Sequence, residues 1–169
     1  MTVLSQNELW SGRFRGAYLL SVVVAIAWTV ALILPFDPFS SLLPVMIGGE
    51  AGTWLLLGYV VYLSVAVGAF AGLSAVLSEL EREARTPNSA LMWVSLVTLI
   101  AGVNTSCLLL GYAGAFGGYA QTIQHLPGSE IDGMLNPFVD VIRITTATSV
   151  LGALAALLGI ASARGGKAV

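Results

Sequence analysis

The sequence predicts an all-α integral membrane protein, a bundle of four transmembrane helices with both termini in the cytoplasm. Hydrophobic residues make up 57% of the 169 residues and charged residues only 9%, whereas about a quarter of the residues in a soluble domain are charged. The apolar residues also fall into blocks of about 20 residues or more, the length of a helix that crosses a hydrocarbon core. We therefore expect lipid to be the solvent of a single transmembrane domain over residues 1–169.

The first span is predicted over residues 16–34. Arg13 and Arg15 precede this apolar stretch as they would in a secretory signal, but the stretch is longer than a signal h-region and no small-x-small cleavage site follows it. We therefore expect the span to be retained. Pro35 and Pro38 end its helix, because proline supplies no amide donor and restricts the residue before it.

The residues before this span predict a short helix at the membrane surface. Ser5 and Glu8 have the spacing of a capping box, in which each side chain satisfies a free backbone donor at the start of a helix. Trp10 and Phe14 would then contact the headgroup boundary. The alternative is a disordered tail.

An exterior loop is predicted over residues 35–50, lying against the membrane surface because its middle is apolar. Span two follows over residues 51–77. Its helix is expected to continue about two turns into the cytoplasmic loop 78–89, because Glu79 and Arg82 stand three positions apart and such acid-first pairs support a helix.

Glu81 and Arg85 form a second acid-first pair, four positions apart. The next helix is expected to begin with Thr86 as its N-cap and Pro87 at the first helical position, since both residue types favour those positions. Span three is predicted over residues 90–112.

The end of the third helix has no charge or proline to mark it, although glycines follow. A helix continuing to residue 124 would be about 50 Å long at about 1.5 Å per residue, which exceeds a core of about 30 Å. We therefore predict a break at Gly117 and Gly118, within an exterior loop over residues 113–140. Span four is predicted over residues 141–163.

The distribution of lysine and arginine predicts the orientation, because these residues are retained on the cytoplasmic side. One side of the predicted spans carries six of them and the other side carries only Arg143, at the start of span four. The six are Arg13, Arg15, Arg82, Arg85, Arg164 and Lys167. This asymmetry predicts that both termini lie in the cytoplasm.

The overall charge excludes several classes of partner. The net charge is −2, and lysine and arginine form no cluster along the chain. Nucleic-acid binding and anionic-lipid binding both depend on such clusters. We therefore expect neither partner and expect lipid bilayer contacts together with other membrane subunits or further copies of this chain.

Two predicted spans carry a face of small residues. They are Ser64, Gly68 and Gly72 on span two, and Gly152, Ala156 and Gly159 on span four. In lipid, close approach of helix backbones drives association, so such faces are typical of helix contacts. The simplest interpretation is that the two faces pack on each other. The alternative is that one of them binds a partner or a second copy.

A polar cluster is predicted within the membrane, because spans three and four carry an amide and several hydroxyls at similar depth. Its members are Asn104, Thr105, Thr145, Thr148 and Ser149. An unpaired amide in hydrocarbon is costly, so Asn104 is expected to bond Thr145, Thr148 and Ser149 across the helix interface.

The alternative for this cluster is a polar cavity that opens to the exterior. Glu50, Asp140 and Arg143 would then form a charged rim at its mouth. Asp140 and Arg143 are also three positions apart at the start of span four. A local ion pair between them explains both residues without a cavity.

His125 is the only histidine and is a weak candidate for a metal ligand, with Glu130 and Asp132 nearby in the same predicted loop. A usual zinc or haem site needs more ligands of this kind. No catalytic residue and no cofactor can be assigned from any motif.

The leading functional interpretation is a non-catalytic membrane component, an accessory or assembly subunit of a larger complex. It depends on the small-residue faces and on the lack of a catalytic motif. The alternative is a small homo-oligomeric channel or transporter with its polar cluster around Asn104, and a membrane enzyme comes third. Arginine outnumbers lysine, and both alanine and glycine are abundant. We therefore expect the protein to be located in the plasma membrane of a prokaryote.

Overall fold

A computed structural model describes residues 9–165 of the chain. Within this part, four helical segments are long and apolar enough to cross a membrane, and two short strands accompany them. In chain order the elements are α1 (Trp10–Ile33), a 3-10 turn (Phe39–Ser41), α2 (Leu42–Gly48), α3 (Gly52–Val61), a π-helical segment (Tyr62–Val67), α4 (Gly68–Arg82), β1 (Arg85–Thr86), α5 (Ser89–Thr122), α6 (Gly128–Ala161) and β2 (Arg164–Gly165). The helix α3, the π-helical segment and α4 are continuous and form the second long helix (Gly52–Arg82).

The third long helix, α5, lies at the centre of the bundle. Of its most apolar window, 44% is buried, against 22% for each of the other three long helices. It packs along α6 and against α3, whereas α1 packs mainly on α4. Many large apolar side chains on the remaining surface are exposed, Ile33 and Ile144 at 65% among them. Exposed apolar surface of this extent is typical of a membrane or protein contact site.

One terminus of each long helix lies at the same end of the bundle, which we call the arginine-rich end. These termini are the starts of α1 and α5 and the ends of α4 and α6. There Asn88 N donates to Gly159 O at 3.1 Å, and the antiparallel strands pair Arg85 with Gly165. The backbone amide of Ser11 donates to the Glu81 carboxylate at 3.1 Å. Five of the six residues that predicted the orientation lie in elements that converge here; the sixth, Lys167, is outside the described residues.

The predicted break in the third long helix is wrong. Helix α5 is continuous from Ser89 to Thr122, and α6 begins at Gly128, so most of the predicted loop 113–140 is helical. Gly117 and Gly118 are buried and face other helices. A Cβ on Gly118 would lie 3.1 Å from Gly52 Cα. These glycines allow close packing of helices and do not end one.

The first helix and the following loop also differ from the expectation. Ser5 and Glu8 lie outside the described residues, but α1 already begins at Trp10 and Phe14 is fully buried in the bundle. Phe14 therefore packs inside the bundle and not at the membrane surface. The predicted loop 35–50 contains α2, whose Val45 is 1% exposed and packs against the far end of α5.

The expected extension of the second long helix is confirmed, since α4 continues to Arg82 and ends with an ion pair of 2.7 Å to Glu79. The second predicted pair is wrong, because Arg85 instead lies 3.6 Å from Glu83. The cap of α5 is Asn88 and not Thr86. The Asn88 side chain accepts from the first amides of that helix at 3.1 and 3.3 Å.

Candidate functional site

Asn104 joins α5 to the second long helix. Its Oδ1 accepts a hydrogen bond of 2.9 Å from the Tyr62 hydroxyl, and its Nδ2 donates to Ile100 O at 2.7 Å. Tyr62 is completely buried and is the first residue of the π-helical segment. The amide is therefore satisfied by its own helix and by the second long helix. The predicted bonds to Thr145, Thr148 and Ser149 are wrong.

The hydroxyls of α6 bond to their own helix. Thr148 Oγ1 donates to Ile144 O at 2.9 Å, and Ser149 Oγ donates to Thr145 O at 3.0 Å. Thr145 Oγ1 donates to Val141 O at 2.9 Å in the same way. Thr105 on α5 is exposed. The predicted polar cluster is therefore divided into a bonded pair, Asn104 with Tyr62, and hydroxyls that need no partner from another helix.

Aromatic side chains surround the Asn104–Tyr62 pair. The Trp28 ring of α1 lies 5.9 Å from the Tyr62 ring and 5.7 Å from the Tyr59 ring. Thr29 and Tyr59 share a hydrogen bond of 2.8 Å between their hydroxyls. The indole of Trp28 covers Gly111 of α5, where a Cβ would come within 2.5 Å of the ring. Three long helices thus meet around one layer of aromatic and polar groups.

The π-helical segment lies directly beside this layer. Such segments are rare, are mostly single turns within α-helices and often occur at functional sites. Here the segment separates α3, which packs on α5, from α4, which packs on α1. It also starts at the residue that bonds Asn104. The layer is therefore the point at which the second long helix changes its neighbour.

The two small-residue faces do not pack on each other, so that prediction is wrong. The face on α6 packs on α5: a Cβ on Gly152 would lie 3.0 Å from Leu99 N, a Cβ on Gly159 would lie 2.9 Å from Met92 Sδ, and Ala156 is 2% exposed.

The face on the second long helix is open. Ser64, Gly68 and Gly72 are exposed, and a Cβ on Gly68 or Gly72 would meet no atom within 4 Å. We call these three residues the open small face. Among the described residues no other helix covers it.

Of the three residues predicted to form a charged rim, only Glu50 lines a cavity. Glu50 lines a cavity of about 430 Å³ between α3, α5 and α6, together with Asp132, Gln121 and Asn136. Asp140 and Arg143 are not among its lining residues. Their predicted ion pair on α6 is confirmed at 3.0 Å, and both side chains are largely exposed.

His125 lies in the turn between α5 and α6, exposed and in the left-handed backbone region with φ of 56°. Within residues 9–165, no group of three histidine, cysteine, aspartate or glutamate side chains is placed to hold a metal ion. Glu130 and Asp132 therefore do not complete a metal site with it in this part of the chain.

One cluster at the arginine-rich end was not predicted from the sequence. The Arg13 guanidinium lies 4.6 Å from the Trp10 ring centroid and 4.6 Å from that of Trp93, and the two indoles meet edge-on at 5.4 Å. The signal was present, because Trp10 and Arg13 stand three positions apart and share a helix face. The stack joins the start of α1 to the start of α5.

The layer of aromatic and polar groups around Asn104 is neutral, and the Asn104–Tyr62 pair is hydrogen-bonded. This pair holds α5 against the second long helix. Comparison with protein-family models, with curated proteins and with solved structures finds no match to this chain.

Proposed function

We propose that the chain is a non-catalytic component of the plasma membrane of a prokaryote, an accessory or assembly subunit of a larger membrane complex. It would cross the bilayer four times with both termini in the cytoplasm. The lengths and apolar character of the long helices support insertion. The position of Arg13, Arg82 and Arg164 at one end of the bundle supports the orientation, since arginine is retained in the cytoplasm.

The open small face is the observation that carries the proposal. In the same bundle, most glycines of α3, α5 and α6 lie against a neighbouring helix, as at Gly58, Gly102 and Gly152. Gly68 and Gly72 instead face away from every described helix. Because small residues in lipid let another backbone approach closely, this face is suited to a helix from a partner subunit.

The channel alternative receives less support. It requires the hydroxyls of α6 to join Asn104 around a shared polar path. Asn104 is instead bonded to Tyr62, and Thr148 is bonded to its own backbone. A membrane enzyme is supported no better, since His125, Glu130 and Asp132 form no group that could hold a metal ion within residues 9–165.

Native mass spectrometry of the protein, gently solubilised from its own membrane, tests the proposal. We expect a complex with different subunits. Gly72→Leu should reduce the amount of partner recovered at least about tenfold, because a leucine on the open small face holds the partner backbone away. Gly133→Leu is the matched control, since Gly133 on α6 also has no atom within 4 Å of its Cβ position and should retain the partner.

A stable monomer in mild detergent that never co-purifies with another protein would contradict the proposal. A complex that survives Gly72→Leu unchanged would exclude this face as the interface. A pure homo-oligomer would move the channel alternative to first place.

A further inference from the structure

A groove runs between α1 and α4 at the arginine-rich end of the bundle, with a volume of about 1110 Å³. Along α4 it extends from Arg82 to Ala71, about 16 Å at about 1.5 Å per residue. Its space exists because the facing residues are small: Gly12 and Gly16 on α1, and Ala71 and Ala75 on α4. The groove is large enough for a ligand, since ligand pockets in proteins typically have volumes of about 300–1,000 Å³.

Two arginines from different helices line this groove, Arg15 of α1 and Arg82 of α4. Arg15 is exposed and makes no ion pair with any described residue. Arg82 shares one nitrogen with Glu79 and keeps its other N–H donors. A guanidinium binds phosphate oxygens in a bidentate fork, so both side chains are suited to a phosphate group.

Glu81 also lines the groove, but its carboxylate accepts hydrogen bonds from Ser11 of α1. One oxygen accepts from Ser11 N at 3.1 Å and the other from Ser11 Oγ at 2.5 Å. Ser74 Oγ donates to Ser11 O at 3.1 Å. These bonds hold the start of α1 against α4 and thereby fix the mouth of the groove.

At the end of the groove farthest from Arg82, the lining becomes mostly apolar. This end is lined by Tyr18 and Leu19 of α1 and by Ala71 of α4. Ala71 is about 16 Å along α4 from Arg82, roughly half the thickness of a hydrocarbon core of about 30 Å. A soluble anion would leave this part of the groove empty. A molecule with a phosphate at one end and a hydrocarbon chain at the other would fill both parts.

We propose that this groove binds one phospholipid of the cytoplasmic leaflet, with its phosphate at Arg15 and Arg82 and one acyl chain along Gly16 and Ala71. The inference rests on the membrane insertion proposed above but not on any partner subunit. The sequence predicted no anionic-lipid partner because it shows no cluster of basic residues along the chain. The fold places two arginines that are distant in sequence along one groove.

Lipid binding to the full 169-residue chain in detergent tests this proposal. The probes are phosphatidylglycerol, a diacylglycerol with the same acyl chains and no phosphate, and inorganic phosphate alone. Native mass spectrometry counts the bound molecules. We expect one tightly bound phosphatidylglycerol, much weaker binding of diacylglycerol, and no displacement of the lipid by inorganic phosphate.

The arginine variants test the position of the phosphate. Arg15→Gln and Arg82→Gln should each weaken phosphatidylglycerol binding about fivefold, and the double variant about 25-fold. Arg143→Gln is a matched control, because Arg143 pairs with Asp140 three positions away just as Arg82 pairs with Glu79, yet it lies outside the groove. It should bind like the unchanged protein.

Gly16→Leu tests the acyl-chain position without changing a charge. A Cβ at Gly16 meets no atom within 4 Å, so the variant should fold while its side chain fills the groove. Binding of phosphatidylglycerol should fall in this variant and not in Gly133→Leu. Equal binding of diacylglycerol, displacement by inorganic phosphate, or equal loss in Arg143→Gln would overturn the lipid site. None of these outcomes depends on whether a partner subunit exists.

Discussion

The two halves of the second long helix use glycine in opposite ways. In α3, before the π-helical segment, a Cβ on Gly58 would lie 2.8 Å from Cys107 O and 2.8 Å from Gly111 N of α5. In α4, after that segment, Gly68 and Gly72 have open space beside them. The first half packs directly on the backbone of α5 at the centre of the bundle. The second half has its small residues on the outer surface.

The difference teaches that a small-residue pattern predicts close helix contact but not the identity of the neighbour. In the first half the contact is made within the chain. In the second half, large buried side chains such as Phe70 and Leu77 face the core, which leaves the glycines on the opposite surface. The change occurs at Tyr62, where the π-helical segment begins and Asn104 is bonded.

Substituting one glycine in each half should give the largest contrast. Gly58→Leu is expected to destabilise the protein by about 3 kcal/mol or more, or to prevent folding, because its side chain would meet the backbone of α5. Gly72→Leu should change stability by less than about 0.5 kcal/mol. Thermal unfolding of both purified variants in detergent measures this. Similar losses in the two variants would mean that the halves do not differ as described.

The bond at the junction should make a smaller contribution. A double-mutant cycle of Tyr62→Phe and Asn104→Leu should give a coupling of about 0.6 kcal/mol, the average for hydrogen bonds between membrane helices, and at most about 1.7 kcal/mol. The control cycle pairs Asn104→Leu with Thr148→Val, whose hydroxyl bonds its own helix, and should give a coupling near zero. The reverse result would restore the predicted contact between α5 and α6.

The smallest expected effect concerns the arginine-rich end, where α1 meets α5 through large side chains. Arg13→Gln removes a guanidinium that lies over Trp10 and Trp93, so we expect a loss of about 0.5 to 1 kcal/mol. Arg143→Gln, in which the replaced arginine is exposed, stacks on neither ring and lies outside the groove, should leave detergent stability nearly unchanged. Equal effects on unfolding in the two variants would show that the stack contributes nothing specific.

Much of the architecture could be predicted, because local features of the sequence specify it. Long apolar blocks predicted the four long helices, and the three-residue spacing predicted the pairs Glu79–Arg82 and Asp140–Arg143, which are confirmed. These features need no knowledge of which helices are neighbours.

The contacts between helices could not be predicted in the same way. Asn104 bonds a tyrosine in a π-helical segment, and a regular helical repeat does not describe the faces of such a segment. Gly117 and Gly118 resemble a helix break in sequence but lie against other helices, among them α2, which was not predicted. In both cases the outcome depends on the neighbouring helix, which one sequence does not specify.

Site-specific photo-crosslinking in the native membrane tests the role of the open small face most directly. A photoreactive amino acid would replace Gly68 in one variant and Leu151 in another; Leu151 is 63% exposed on α6. We predict a defined product with a partner subunit at position 68 and lipid adducts alone at position 151. No protein product at position 68, or the same products at both positions, would contradict the assignment of this face as an interface.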